Sequence, residues 1–284
     1  MRAWSRAERA RGRRIGFVPT MGYLHEGHLR LVDRARELSD RVVMSIFVNP
    51  LQFGPHEDLA RYPRDLDRDR KLAAARGVAC LFVPTAADMY PPPGNPVARV
   101  IPSAGADTLE GAARPGHFTG VLTVVAKLFH LVEPDVAVFG RKDFQQAMLV
   151  KRLVSDLDFA ITIDVAPTVR ELDGLALSSR NSYLTPDERR SALALSRALR
   201  TLEQAWRGGE ADPAALQRVG LDAMRAPGGG VVPEYCALVD EALQPVTRVT
   251  PRTVAVVAAR VGKTRLLDNV VLGEGIAADP RVTP

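Results

Sequence analysis

Short apolar runs alternate with longer amphipathic runs along the first half of the chain, and this alternation constrains the fold more than any other feature. The strand-like runs are 15–18, 41–48, 78–83, 135–139 and 160–165. The helix-like runs are 29–38, 65–76, 120–131 and 144–157. Apolar strands joined by helices pair in parallel, because each crossover helix returns the chain to the same end of the sheet. The rhythm therefore predicts an α/β fold with a doubly wound parallel sheet, covered by helices. Such sheets take ligands outside the carboxyl ends of their strands. Three polar segments fall there: PTMG after the first run, NPLQFG after the second and FGRKD after the fourth.

Past Thr168 the texture changes. Thr185-Pro186-Asp187-Glu188 has a capping hydroxyl, a proline suited to the first helical position and acids for the first turn, so it opens a helix to about Trp206. A second helix is expected over 213–225, then short strands over 234–239 and 254–261. Two domains follow: 1–168, holding the parallel sheet, and 169–284, a smaller α+β domain. The proline-rich stretch 90–96 reads as a loop, and the tail after Gly273 as loosely ordered.

The stretch VPTMGYLHEGHLRLV carries the most chemistry. An apolar strand runs into a turn, then into two histidines, His25 and His28, at the expected start of a helix. Unpaired backbone N–H groups and the positive end of the helix dipole suit a phosphate there. Gly27, between the histidines, lets a flat ligand approach the backbone. The plainer reading is two surface histidines on a capped helix.

Other candidates lie at the remaining strand ends. Lys142 and Asp143 follow Gly140 at a strand-to-helix turn, where an ammonium can meet a phosphate. Only five of the 38 basic residues are lysines, so a lysine at this turn points to a need for a compact charge. Ser178, Ser179 and Arg180 offer hydroxyls, amides and a guanidinium that can clamp outer phosphates, although such residues also build ordinary turns. Asn49, Gln52 and Gln146 are neutral amides suited to a substrate bearing hydroxyls and a carboxylate. Asp65, Asp67 and Asp69 alternate and can help hold Mg²⁺, but on a helix they would not share a face.

Two look-alikes fail. Gly262-Lys263-Thr264 ends like a P-loop, but Val257 stands where the first glycine is needed. His25 and His28 lack HExxH spacing, and the sequence places no third zinc ligand.

Composition excludes other classes. The chain of 284 residues is 46% apolar and 25% charged, as expected of a soluble globular protein. No run is long and apolar enough to cross a bilayer, and the basic N-terminus lacks the apolar core of a secretory signal, so a cytoplasmic location is expected. The two cysteines are far apart and imply no disulfide framework; Cys80, in VACLFV, reads as a core residue. The net charge of +5 is spread among interleaved acids and bases, and aromatics are only 6%, which argues against a nucleic-acid surface.

In combination, VPTMGYLHEGH, SIFVNPLQFG, DLARYPRDL, HFTGVLTVVAKLF, FGRKDFQQ, DGLALSSRNSYL and TRLLDN resemble the pantothenate synthetase (pantoate–β-alanine ligase) family of HxGH nucleotidyltransferases. The resemblance spans nearly the whole chain. It implies a Rossmann-like nucleotide-binding domain and a two-step reaction. ATP and pantoate give pantoyl adenylate and pyrophosphate; β-alanine then displaces AMP to give pantothenate. It further implies an ATP site made of Met21, Gly22, Tyr23, Leu24, His25, Glu26, Gly27, His28, Gly140, Arg141, Lys142, Asp143, Val169, Leu177, Ser178, Ser179 and Arg180. Of these, His28 would be the catalytic proton donor, with His25 and Lys142 beside it in the chemistry. Gln52 would hold pantoate and meet β-alanine, Gln146 would hold pantoate, and Asn49 would support their pocket. Mg²⁺ would accompany ATP, with Asp69 the best-matched acid, and the protein would be a homodimer.

Some residues depart from the family pattern. Arg141 stands where an acid is usual, Arg68 where some members have another acid, and the strand and helix that usually precede VPTMG are not apparent. The alternatives are another HxGH adenylyltransferase, which the glutamines and NPLQFG argue against, and a basic RNA-binding module.

Overall fold

A computed structural model describes residues 1–55, 57–91, 96, 98–225 and 230–276. The chain forms two compact units. The first comprises Met1–Gly140 and Gln145–Ala166; the second comprises Arg141–Phe144 and the chain from Pro167 onward.

In the first unit, strands β1 (Ile15–Thr20), β2 (Arg41–Ile46), β3 (Cys80–Phe82), β4 (Val136–Gly140) and β5 (Thr162–Ala166) form a sheet of order β3-β2-β1-β4-β5. Every pairing is parallel. The strand order reverses between β1 and β4, so the ligand crevice of such a sheet lies at their carboxyl ends, beyond Thr20 and Gly140. The predicted α/β, doubly wound architecture is what forms. Ile15, Phe17 and Val18 of β1 have no exposed surface, because a central strand is covered on both faces. Helix α2 (Glu26–Leu38) lays Leu31, Val32 and Ala35 against Val18, Val42, Met44 and Val138. The crossovers to β3 and β4 include α3 (Leu66–Ala75), two short helices α4 (Ala86–Met89) and α5 (Leu109–Ala113), and α6 (His117–Val132); α7 (Phe144–Asp156) leads to β5.

The structure corrects several expectations. The basic N-terminus forms a helix, α1 (Arg2–Ala10), where no element was expected. Its Glu8 is 5% exposed and takes Arg11 and Arg13 at 2.6 and 2.7 Å, so the run of arginines folds onto one carboxylate. Cys80 is half-buried rather than a core residue, because β3 is the sheet edge. Of the proline-rich loop, 92–95 lie outside the described residues, as does the tail from 277. Among the described residues, no helix is long and apolar enough to cross a membrane.

In the second unit, helices α8 (Pro186–Arg207) and α9 (Pro213–Arg225) accompany an antiparallel sheet of β6 (Val231–Val239), β7 (Val254–Val261) and β8 (Thr264–Val271). Thr185 caps α8 as the sequence implied: Glu188 N–H donates to its hydroxyl at 3.2 Å, and Thr185 N–H donates to the Glu188 carboxylate at 2.9 Å. Leu199, Leu202, Leu216, Leu238 and Val257 form its core. The sequence reading gave β8 no strand. A split at 168/169 also assigns Arg141–Phe144 to the first unit, whereas they pack with the second. The reason lies in β8: the Asn269 side chain binds the carbonyls of Arg141 and Lys142.

Candidate active site

The turn after β1 is held from within and from α3. Thr20 Oγ1 donates to the Ser45 carbonyl at 2.7 Å and accepts from Gly22 N–H at 3.2 Å. Gly22 has φ +84, and a Cβ there would lie 2.9 Å from Ile46 Cγ2 and 3.0 Å from an Asp69 oxygen, so no other residue fits without strain. Tyr23 also has positive φ, at 51°. What holds this backbone is Asp69, 1% exposed, whose two oxygens accept from Tyr23 N–H and Leu24 N–H at 2.7 Å each. Arg68 donates to the Leu24 carbonyl at 2.9 Å and lies over the Tyr23 ring.

Asp69, named above for metal ligation, thus has a structural task in holding this turn. Both oxygens are committed to backbone amides, and the carboxylate is turned into the protein. Among the described residues, no group of three or more His, Cys, Asp or Glu is placed to hold a metal ion.

The turn delivers the chain to α2 with His25 as N-cap. His28 Nδ1 accepts from His25 N–H at 3.4 Å, and the two rings lie 4.0 Å apart, tilted by 34°. An accepting Nδ1 puts the neutral ring's proton on Nε2, so His28 presents an N–H donor. The Glu26 side chain is engaged by Arg30 at 3.2 Å and by Arg76, which offset its negative charge at the helix mouth. Met21, Tyr23 and 25–28 are partly exposed, whereas Gly22 and Leu24 are buried. The helix mouth thus offers backbone N–H groups and two imidazoles, a fit for polyphosphate.

Gln52 lies beside this turn in a built polar cluster. Asn49, 1% exposed, donates through Nδ2 to Gln52 Oε1 at 3.0 Å and to the Gly120 carbonyl at 3.1 Å. Its Oδ1 accepts from Leu51 N–H at 3.2 Å and from the Tyr90 hydroxyl at 2.8 Å. Gln52 Nε2 meets Met21 Sδ at 3.2 Å. With Oε1 occupied by Asn49, the amide is oriented to offer N–H groups. Gly120 permits this packing, since a Cβ there would lie 2.2 Å from the Leu51 carbonyl oxygen.

The Gln52 carbonyl is fixed by His117, whose Nδ1 lies 2.9 Å away. Nε2 of that ring faces Arg114 Nη1 at 3.0 Å, and Arg114 binds Glu57. Burial, then the Arg114 charge, pushes the His117 pKa down to about 4, so at neutral pH the ring is uncharged, with its proton on Nδ1 toward the carbonyl. Burial acts to raise the Glu57 carboxyl, but Arg114 overrides it and holds the pKa below the usual range. Gln146 is half-buried on α7, whereas the neighbouring Gln145 is structural, its amide bonded to Gly105, Thr108 and Glu110.

In the second unit, Arg141, Lys142 and Asp143 form a 3-10 turn. Lys142 Nζ lies 3.7 Å from an Asp143 oxygen, and Arg141 pairs with Glu274. Val169 and Leu177 are brought together by a bond from Leu177 N–H to the Val169 carbonyl at 3.0 Å. Ser178 caps the 3-10 turn Ser179–Tyr183, accepting from Arg180 N–H at 3.2 Å. Met21–His28, Asn49, Gln52 and Gln146 thus belong to the first unit, and Lys142, Val169 and 177–180 to the second. Sequence reasoning missed Tyr90, Arg114, His117, Arg170, Asp268 and Asn269. His117 and the Asp268-Asn269 pair stand inside the quoted motifs HFTGV and TRLLDN, which is the signal that was there to use.

The model of the pantoate-beta-alanine ligase family matches residues 1–271. A pantothenate synthetase of Moorella thermoacetica is 52% identical over 274 residues, covering 96% of this chain and 95% of the relative. One of Heliobacterium modesticaldum is 51% identical, with 96% of each chain covered. Among solved structures, pantothenate synthetase from Thermus thermophilus superposes with a TM-score of 0.87 at 49% identity, covering 91% of this chain and 93% of that one. Pantoate-beta-alanine ligase from Francisella tularensis, complexed with beta-gamma ATP and beta-alanine, gives 0.78 at 34% identity over 96% of each chain. With the same fold and a match over nearly its full length, the chain belongs to the pantoate–β-alanine ligase family.

Proposed function

We propose that this chain joins pantoate to β-alanine at the expense of ATP, through an enzyme-bound pantoyl adenylate. The observation that carries this reading is the His25–His28 pair at the α2 mouth beside the oriented Gln52 amide, a polyphosphate grip next to a neutral polar cradle. Because a carboxylate is a poor electrophile, it must first be activated. The pantoate carboxylate attacks the α-phosphorus of ATP and the bond to pyrophosphate breaks. The β-alanine amine then attacks the acyl carbon, losing a proton as AMP departs.

The residues' tasks follow from their chemistry. His28 donates Nε2–H to the phosphates as negative charge moves onto the leaving pyrophosphate, and His25 lies against its ring. Lys142 supplies a point charge to the phosphates, and Ser178, Ser179 and Arg180 supply further donors. Met21 to His28, Gly140 to Asp143, Val169 and Leu177 complete the nucleotide site. Gln52 and Gln146 hold pantoate, with Asn49 setting the Gln52 amide. Mg²⁺ would arrive on the phosphates of ATP and neutralise part of their charge, since it prefers phosphate and water ligands to an all-protein cage. The same reading makes the protein a cytoplasmic homodimer.

The test is to incubate the protein with ATP, Mg²⁺, pantoate and β-alanine and identify the nucleotide formed. AMP with pyrophosphate is expected; ADP, or no turnover, overturns the reading. Labelled pyrophosphate should also exchange into ATP with pantoate alone, and a strict need for β-alanine would exclude the adenylate. Light scattering in solution gives the mass that tests the dimer.

A further inference from the structure

We propose that Asp268 and Asn269, adjacent on β8, are positioning residues that set the two nucleotide-facing segments of the second unit, Asn269 acting through Lys142. The proposal rests on the assignment of Lys142 to the phosphates. Asn269 is 3% exposed, and its Nδ2 donates to the carbonyls of Arg141 and of Lys142, each at 2.9 Å. Two bonds from one amide nitrogen to successive carbonyls define the path of the turn from which the Lys142 side chain departs. Asp268, 3% exposed, receives Arg170 in a two-pronged pair at 2.6 and 2.7 Å. Arg170 also donates to the carbonyls of Gly174 and Asn269, at 3.1 and 3.0 Å. It lies next to Val169 and bridges to Ala176, so it holds the loop carrying Leu177. Asn269 N–H donates to Asp268 at 2.7 Å, which locks the two side chains to each other.

Stability alone does not call for this buried cluster. A charged pair removed from water is no more stabilising than well-packed apolar residues, but it fixes direction, because a guanidinium and a carboxylate match in only a few geometries. What it fixes here is the backbone on both sides of the proposed phosphate contacts. A displacement of about 1 Å in such a group costs about a hundredfold in rate.

The experiment uses pyrophosphate exchange by the full chain. Asn269→Asp keeps the shape but sets carboxylate oxygens against two carbonyls; Asn269→Ser, which buries no charge and retains one donor, serves if the first variant does not fold. Either should slow exchange by at least about tenfold, with the KM for pantoate within about twofold of the parent. In a Lys142→Ala background the same change should add little, since its effect is exerted through Lys142. Independent, multiplying defects in the double variant, or equal losses for pantoate and ATP, overturn the inference. A deep Lys142→Ala defect beside normal Asn269 variants also overturns it and leaves the site assignment standing. Normal exchange by Lys142→Ala alone removes the assignment, and the inference with it.

Discussion

Replacing Asp69 with asparagine separates a backbone clamp from a metal ligand. In the parent, two carboxylate oxygens accept from Tyr23 and Leu24 N–H at 2.7 Å, out of contact with water. An asparagine can accept only one of these bonds, and without the charge; its NH₂ then faces the other N–H. Hydrogen bonds to charged groups contribute about 1.5–3 kcal/mol, so losing one and weakening the other should cost about 2–4 kcal/mol. That corresponds to a fall in Tm of roughly 5–15 °C. The assay is thermal unfolding of parent and variant in a chelator, without nucleotide. A clamp shows its loss there; a metal ligand does not. An unchanged metal-free melt, with a raised Mg²⁺ requirement for activity, would refute the reasoning and return Asp69 to the metal.

His28→Ala should fold normally and slow adenylation by about 10²–10⁴-fold, read as single-turnover pyrophosphate release; near-normal release removes His28 from the mechanism. Lys142→Arg conserves charge but should lose most exchange activity, because a planar fork does not reproduce a point contact; parity with the parent would mean bulk positive potential suffices. Gln52→Ala should weaken pantoate use by about 1–3 kcal/mol while ATP affinity, measured by calorimetry, changes little; the reverse pattern would show the pocket is wrongly assigned. His117 is held neutral in the folded protein, with a pKa of about 4. The unfolded chain, near 6.5, takes up the proton first, so this contribution is complete above about pH 6.5 and is lost as pH falls toward 4, about 3 kcal/mol in all. Stability of His117→Gln should therefore vary less with pH across that window, and an identical slope in urea unfolding would count against it.

The sequence made the parallel sheet legible because each central strand is apolar on both faces, and helix starts were legible where a capping residue stood in place, as at Thr185. Elements escaped where the signal was spatial. In β8, the run Thr264–Val271 carries Arg265, Asp268 and Asn269, and the two buried polar groups read as loop chemistry until Arg170 and the Arg141–Lys142 carbonyls are seen to satisfy them. The residues at the helix mouth could be named from a strand, a turn and two histidines. Asp69 could not be placed, because its partners are backbone amides more than forty residues earlier, and amides leave no mark on a sequence. His117 was hidden likewise, as its partner is the carbonyl of Gln52.

The orientation of the Gln52 amide has a consequence for selectivity. Its oxygen is engaged by Asn49, which is itself held by the Tyr90 hydroxyl, so the group faces its surroundings as a donor. A carboxylate or hydroxyl oxygen can dock on those N–H groups, whereas an ammonium brings only hydrogens to them. For two substrates that both carry a carboxylate, the amide distinguishes their ends rather than their identities. On the proposed reading that Gln52 meets β-alanine, its N–H groups favour the carboxylate end, which leaves the amine end free to lose a proton and attack. Tyr90, whose buried hydroxyl is spent on Asn49, would in this way help to set which end of a small zwitterion points inward.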